Sequence, residues 1–298
     1  MTRTLKPEPR VRTLFFGTSD FAVPSLRVLA QETALAGVVT RPDSPAGRGH
    51  KLTPTPVKKA ALEFGVPVFE PASLREFVRE QAEESFDLFA LASYGKILPA
   101  ALLALPAHGA LNVHPSLLPK YRGATPIQAA LLSGDTRTGI TIMLMDAGMD
   151  TGPIVAQERV AIAPDDDYGK LHDRLAVMGA GLLREAIRAV QLGALTAVPQ
   201  HGEASVTKPL RKEHLEIDWN WPAARILNAV RAFSPQPAAR AILHGLPVKL
   251  LQAQLAPSSD AVAVPCGDGT LYVTRLITPN RGPISGAAFE RSVRADAG

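Results

Sequence analysis

Four short apolar runs separated by helix-like stretches, with a fifth following closely, constrain this chain more than any other feature. The runs are Val11–Phe16, Leu35–Thr40, Val66–Phe69, Asp87–Ala92 and Ala110–Val113. Between the first four, Pro24–Ala30, Val57–Phe64 and Ser73–Glu84 have helical spacing. Near-continuous apolar strands alternating with helices predict a mostly parallel, doubly wound α/β sheet of the Rossmann-like kind, covered on both faces. In such a sheet ligands bind beyond the carboxyl ends of the strands. The loops that follow Phe16, Ala92 and Val113 are therefore where chemistry is expected.

Further along, Ala124–Leu132 reads as a helix, and Gly139–Met145 and Ile154–Ile162 as two strands joined by a tight loop. The helical pattern Lys170–Gln191 closes this unit. Weak periodicity and several turn formers mark Gly193–Leu210 as a linker, so the expected domains are residues 1–192, a linker 193–210, and residues 211–298. The last of these holds one helix, Ala223–Phe233, and short β-like runs at Ala239–Leu243, Val248–Leu251, Ala261–Val264 and Leu271–Ile277. Short strands at that spacing predict a small barrel. Met1–Val11 reads as a frayed extension without the apolar core of a signal peptide, and Ala287–Gly298 as a loose polar end.

Composition removes several classes of function. No apolar run reaches the ~18 residues of a membrane span. A single cysteine, Cys266, forms no internal disulfide and no cysteine-based zinc site. The seven histidines show no metal-ligand spacing, so a metal-free enzyme of the reducing cytoplasm is expected. Aromatic residues make up 5% of the chain, which disfavours base stacking as its main business. Charge is uneven: residues 208–298 hold eleven Lys/Arg against seven Asp/Glu, whereas the remainder balances at 21 of each. A basic C-terminal third suits an anionic partner such as nucleic acid, and equally an ordinary solvated surface.

Three segments could carry chemistry. Gly17-Thr18-Ser19-Asp20 follows the first strand as a phosphate-cradling turn would, but lacks the Gly-x-Gly-x-x-Gly and Walker patterns; Ser19 or Asp20 can instead cap a helix. Asn112 and His114 are two residues apart at the end of an apolar strand, so their side chains share one face. They could form a structural amide–imidazole pair or a reactive one. Met145-Asp146-Ala147-Gly148-Met149-Asp150-Thr151-Gly152 sets two carboxylates in a glycine-rich loop. It lacks the ligand ladder of a calcium loop, and its aspartates could equally bond their own backbone.

Taken together, these segments resemble the folate-dependent formyltransferases, and within that group the methionyl-tRNA formyltransferase family over nearly the whole chain. The resemblance rests on Gly17–Ala22, on Arg41-Pro42-Asp43-Ser44-Pro45-Ala46-Gly47-Arg48-Gly49, on Asn112-Val113-His114-Pro115-Ser116-Leu117-Leu118-Pro119, and on Met145–Gly152. Asp150 follows His114 by 36 residues, the spacing of the wider group. The resemblance implies that Asn112, His114 and Asp150 are catalytic. It places 10-formyltetrahydrofolate, the formyl donor, against Ser116, Leu117, Leu118 and Pro119, with Tyr94, Ile97 and Asp146 bordering the pteridine. Initiator methionyl-tRNA is the implied partner of a monomer. Its acceptor end would meet a loop bearing Arg41, Arg48 and Lys51, and an OB-like C-terminal barrel would offer Lys208, Arg211, Lys212, Arg225, Arg231 and Lys249. Ser44 stands where many relatives carry a basic residue.

The implied reaction needs no protein nucleophile, because the donor is an activated formamide that an amine can attack. It needs oxyanion stabilisation and a route for the amine's proton. Asn112 offers an uncharged N–H donor, and His114 a second donor or a proton carrier. A nearby carboxylate favours imidazolium and fixes its tautomer, so Asp150 is expected to orient and charge His114. Glycinamide ribonucleotide formyltransferases and formyl-folate hydrolases share the trio, a sugar-nucleotide formyltransferase can also carry an appended barrel, and a non-catalytic nucleic-acid binder on a decayed enzyme is the alternative of another class. The Arg41–Lys51 loop and the basic C-terminal region favour tRNA.

Overall fold

The computed structural model describes residues 10–46 and 51–296; the expected N-terminal extension lies almost wholly outside them. In chain order the first elements are β1 (Arg12–Gly17), α1 (Val23–Glu32), β2 (Ala34–Val39), β3 (Ser44–Ala46), β4 (Lys51–Thr53), α2 (Pro56–Glu63), β5 (Val68–Phe69) and α3 (Leu74–Glu80). Then come β6 (Leu88–Ala92), α4 (Ala100–Leu103), β7 (Ala110–His114), β8 (Arg122–Gly123), α5 (Pro126–Leu132), β9 (Arg137–Leu144), β10 (Ile154–Ala161) and α6 (Tyr168–Gln191). The remainder is β11 (Val206–Thr207), α7 (Ala223–Phe233), β12 (Ala239–Leu243), β13 (Leu246–Gln254), β14 (Val262–Cys266), β15 (Gly269–Ile277), β16 (Pro283–Ser285) and α8 (Gly286–Asp296).

Seven strands form the central sheet in the order β10-β9-β7-β6-β1-β2-β5. The chain starts at β1, builds outward through β2 and β5, and returns to the other side of β1 with β6 and β7. All of these pair in parallel. The order therefore reverses between β1 and β6, and the carboxyl ends of these strands open the crevice in which such sheets bind ligands. β6 (LFALA) is buried at every residue, as a strand covered on both faces requires. Its Phe89 and Leu91 join Phe16, Phe77 and Phe86 in one apolar cluster. The sheet is mixed, because β9 runs antiparallel to β7, with Asn112 opposite Met143 and His114 opposite Thr141. Helix α6 lies close to β7 at Gly179, where a β-carbon would come 2.6 Å from Val113 Cγ1.

Local chemistry sets the helix starts. Thr55 Oγ1 accepts a hydrogen bond from the Lys58 N–H and Pro56 opens α2; Ser73 Oγ does the same for Glu76 at α3. The loop expected to bear Arg41, Arg48 and Lys51 includes an antiparallel pair, β3 with β4.

The described chain separates into two compact units that do not follow a single cut. One runs to Arg122 and includes Gly139–Arg159 and Asp173–Val206; the other gathers Gly123–Thr138, Val160–His172 and everything from Thr207. In the second unit β12, β13, β15 and β14 form an antiparallel sheet, with β16 continuing along β15. Helix α7 buries Ile226, Ala229, Val230 and Phe233, one stripe at helical spacing. The loose C-terminal end expected from its polar composition is instead helix α8. Phe289, fully buried, anchors it, and Glu290 pairs with Arg294 one turn on, at 2.7 Å. Ala287, Ala288 and Val293 are half-buried around it, so small residues complete a single narrow apolar face.

Candidate active site

Asn112 and His114 project from the last turn of the pleat of β7, on the same face. The loop after β9 leaves beside Ala110, whose carbonyl accepts from Met145 N–H at 2.8 Å, and closes where Leu144 N–H meets the Pro153 carbonyl at 3.0 Å. Between these ties it folds over the face that Asn112 and His114 share. Gly152 makes the closure possible, since any β-carbon there would overlap the Leu144 carbonyl oxygen. Asp146 shapes the turn: its Oδ1 accepts from Gly148 N–H at 3.0 Å and from Thr151 Oγ1 at 2.7 Å. Of the alternatives for this loop, Asp146 thus takes the backbone-bonding one.

Asp150 takes the other role. Asn112 Nδ2 donates to its Oδ1 at 3.3 Å, and its Oδ2 lies 3.5 Å from His114 Nδ1. The imidazole is 4% exposed and the carboxylate 15%. His114 Nε2 faces the Tyr121 carbonyl oxygen at 3.0 Å. A carbonyl only accepts, so Nε2 carries the hydrogen and Nδ1 is the open basic position. Tyr121, on one side, and Asp150, on the other, together orient the ring.

The expected charging of His114 is corrected. Burial lowers its pKa below the ordinary imidazole value of 6.5, outweighing the raising influence of Asp150 and of the Tyr121 bond. The resting ring is therefore neutral near pH 7. Its Nδ1 lone pair faces a carboxylate oxygen across 3.5 Å, so one proton placed between them would be bound by both groups. The pair is a built seat for a single proton. Asn112 has two amide hydrogens, and only one is directed at Asp150; the second can serve an oxyanion.

The expected donor-binding residues divide by role. Ser116 is fully buried and its hydroxyl donates to the Lys120 carbonyl at 2.6 Å, so it shapes the Ser116–Lys120 turn and presents no hydroxyl outward. Thr141 and Gln157 pin the same turn: Thr141 Oγ1 donates to the Ser116 carbonyl, and Gln157 Nε2 to the Leu118 carbonyl. Leu118 is buried, Leu117 and Pro119 are half-buried, and Ile97 is 79% exposed. The Tyr94 ring packs edge-on to Phe16, and burial raises its pKa to about 12, partly opposed by Arg41. Its hydroxyl is buried without a hydrogen-bond partner. In the Gly17–Asp20 turn Ser19 is the residue before a short 3-10 helix, yet its hydroxyl bonds Ser93 Oγ at 2.8 Å instead of capping.

Of the expected tRNA contacts, Arg48 lies outside the described residues, and Lys51 is described only as the first residue of β4. Arg41 is exposed. Lys208 and Arg211 are exposed in the second unit. Arg231 is half-buried, and its Nε and Nη2 donate to the carbonyls of Asp166 and Ala163, each at 2.8 Å, so it stitches a loop of its own unit. Among the described residues no three His, Cys, Asp or Glu side chains gather as a metal site would require. Two residues that sequence reasoning passed over complete the first unit's polar network: Gln200 and Arg122, whose side chains bond each other at 2.7 and 3.1 Å. Neither sits in a motif, and no spacing rule singles them out.

Residues 10–187 match the formyl transferase family, and residues 209–294 the formyl transferase C-terminal domain. The chain is 43% identical over 309 residues to the methionyl-tRNA formyltransferase of Xanthomonas axonopodis pv. citri, covering 96% of this chain and 98% of that one. The methionyl-tRNA formyltransferase of Myxococcus xanthus is also 43% identical, over 281 residues and 90% of each chain. Among solved structures, HypX from Aquifex aeolicus in complex with tetrahydrofolic acid shares the fold at a TM-score of 0.64 and 16% identity. That match covers 95% of this chain but 47% of HypX, so the chain spans about half its length. Matched in both of its parts, and along nearly its whole length by relatives at this identity, the chain belongs to the formyltransferase family, in its methionyl-tRNA branch.

Proposed function

We propose that this protein transfers the formyl group of 10-formyltetrahydrofolate to the α-amino group of methionyl-initiator-tRNA, with Asn112, His114 and Asp150 as its catalytic residues. One observation carries the reading: an amide donor, a neutral imidazole and a carboxylate, two of them fixed by one strand, converge within 3.5 Å. The relatives named as methionyl-tRNA formyltransferases supply the acceptor, and the HypX complex with tetrahydrofolic acid supports a folate in this fold.

The amine attacks the formyl carbon, and the carbonyl π pair moves onto oxygen. Asn112 donates its second N–H to that oxyanion, a contribution of about 3–4 kcal/mol for a well-placed donor. The ammonium formed on attack gives up a proton to the seat between His114 Nδ1 and Asp150 Oδ2. The C–N10 bond then breaks, and the same proton passes to N10 of the folate. The neutral resting state of His114 suits this sequence, because the ring begins as a base and ends each turnover as one.

In this reading Leu117, Leu118 and Pro119 wall the folate, and the orphaned Tyr94 hydroxyl offers it a hydrogen bond. Ile97 and the Asp146 turn border the pteridine. Residues 1–192 carry the reacting groups, residues 193–210 lead from them to residues 211–298, and tRNA is gripped through Lys208 at the end of that connection and through Arg211 and its basic neighbours in residues 211–298. Arg41, Arg48 and Lys51 meet the acceptor end. The protein acts as a monomer in the cytoplasm; among the described residues no helix is long and apolar enough to cross a membrane.

The test is incubation with 10-formyltetrahydrofolate and, separately, methionyl-initiator-tRNA, glycinamide ribonucleotide or an amino-sugar nucleotide. Formyl transfer to the tRNA alone is expected. Transfer only to one of the small acceptors would overturn the assignment, and transfer to none would favour a non-catalytic binder.

A further inference from the structure

Both partners of the His114 ring depend on one short segment of the 193–210 stretch. Gln200 Nε2 donates to the carbonyls of Asp150 and Gly152 at 2.9 and 2.8 Å, while its Oε1 accepts from Nη2 and Nε of Arg122 at 2.7 and 3.1 Å. Carbonyls only accept and a guanidinium only donates, so the Gln200 amide has one orientation and all its hydrogen-bonding capacity is used. Asp150 has φ of 54°, in the left-handed region that a non-glycine residue holds only when its surroundings enforce it. Five residues on, Ser205 Oγ accepts from Tyr121 N–H at 2.9 Å, and the Ser205 carbonyl accepts from Arg122 N–H at 2.9 Å. Tyr121, whose carbonyl faces His114 Nε2, is also left-handed, with φ of 60°.

We propose that residues 200–205 are a positioning element for the catalytic trio. Gln200 holds the Asp150 carboxylate at His114 Nδ1, and Ser205 holds the Tyr121 carbonyl at Nε2. The seat for the proton thus has a fixed length because one segment sets both of its sides. This rests on the assignment of Asn112, His114 and Asp150 as the reacting groups, and Gln200 is a positioning residue, acting through Asp150.

The test compares Gln200→Glu and Gln200→Met with the full-length parent. Glutamate keeps the shape and strengthens the pairing with Arg122, but turns a double donor against two carbonyl oxygens into an acceptor. Methionine keeps the length and donates nothing. Single-turnover formyl transfer is expected to fall about 10- to 100-fold in both, as for a displaced catalytic group. KM for formyl-folate should stay within about twofold, since the lost interaction acts in the transition state. In Gln200→Met the acid limb of the rate–pH profile should move to lower pH, because a loosened Asp150 no longer raises the His114 pKa. Parental rates with an unshifted limb would overturn the proposal. So would a defect confined to KM, or failure of both variants to fold, which would make Gln200 a purely structural residue. Asp150→Asn, run in parallel, separates the two layers. An unimpaired Asp150→Asn sinks the trio itself, whereas an impaired one beside intact Gln200 variants sinks only the positioning role.

Discussion

The carboxyl end of β7 and the loop that follows β9 each supply part of the site, and they hold their side chains by opposite means. Asn112 and His114 are aimed by the pleat of a buried strand paired on both edges, so their directions follow from position alone. Asp150 has no such frame. Its direction comes from a left-handed backbone, a glycine that admits close chain contact, and bonds from a side chain 50 residues away. A strand end gives rigidity cheaply in sequence terms, whereas a loop gives reach over the sheet face at the cost of distant supports. The two therefore differ in what will disable them: the strand end fails by loss of a functional group, and the loop also by loss of what holds it.

The largest expected effects break the comparison at its functional groups. His114→Ala removes the proton seat and should slow single-turnover transfer roughly 10²–10⁴-fold, the usual range for a general acid–base group. Asp150→Asn keeps the Asn112 contact but cannot share the proton, and should cost nearly as much. Asn112→Ala should cost about 10²–10³-fold, as for an oxyanion donor. Thermal unfolding checks that each variant is folded. Parental rates in folded Asp150→Asn would remove the loop from the chemistry altogether.

Acidity sharpens the same contrast, because the buried ring feels it before the loop is lost. His114 has a folded pKa below its unfolded value of 6.5, so the unfolded chain binds more protons in the window between them. Its contribution to stability is thus complete above the unfolded value and declines as pH falls below it. The share of the rate loss that belongs to His114 should likewise begin only below pH 6.5, where Nδ1 becomes occupied before the amine attacks; protonation of the acceptor α-amine, with an ordinary pKa of roughly 7.7–8.0, is a separate limb. An imidazole of His114 seen by NMR to be half-protonated at or above pH 6.5 would mean that Asp150, and not burial, governs the ring.

How much of this was legible in the sequence divides along the same line. The strands, the parallel sheet and the shared face of Asn112 and His114 follow from apolar runs and a period of two, which are local. Asp150 was legible only through its motif, as nothing local says that this loop folds back over β7. Gln200 and Ser205 were not legible at all: their partners lie 48 to 84 residues away and the intervening pattern is that of a linker. The charging of His114 was misjudged because a carboxylate neighbour can be inferred from a motif, whereas complete burial of the ring cannot. Helix α8 is hard to read from sequence because its narrow apolar face is made of Phe289, Val293 and small alanines set among charged residues.

A smaller effect distinguishes structural from binding arginines in the second unit. Arg231 bonds the Asp166 and Ala163 carbonyls, so Arg231→Ala should lower stability by about 1–3 kcal/mol, as for hydrogen bonds from a charged group. It should leave the salt dependence of tRNA binding unchanged. A reduced salt slope with parental stability would instead return Arg231 to the tRNA-binding set.

The smallest effect belongs to Arg41, exposed in the loop after β2. If it meets a phosphate, Arg41→Ala should weaken tRNA binding only a few-fold and reduce the slope of log affinity against log salt by about 1. The chemical step on bound tRNA should be untouched, since Arg41 supports neither the strand end nor the Asp150 loop. Arg41 also opposes the upward shift of the Tyr94 hydroxyl, so the variant carries a second readout. With the cation gone, phenolate titration of Tyr94 should move to still higher pH, away from about 12. An unchanged salt slope together with a shifted Tyr94 would place Arg41 with the folate crevice. It would then belong to the group of side chains aimed by strand ends, and the tRNA contact would have to be carried by other residues.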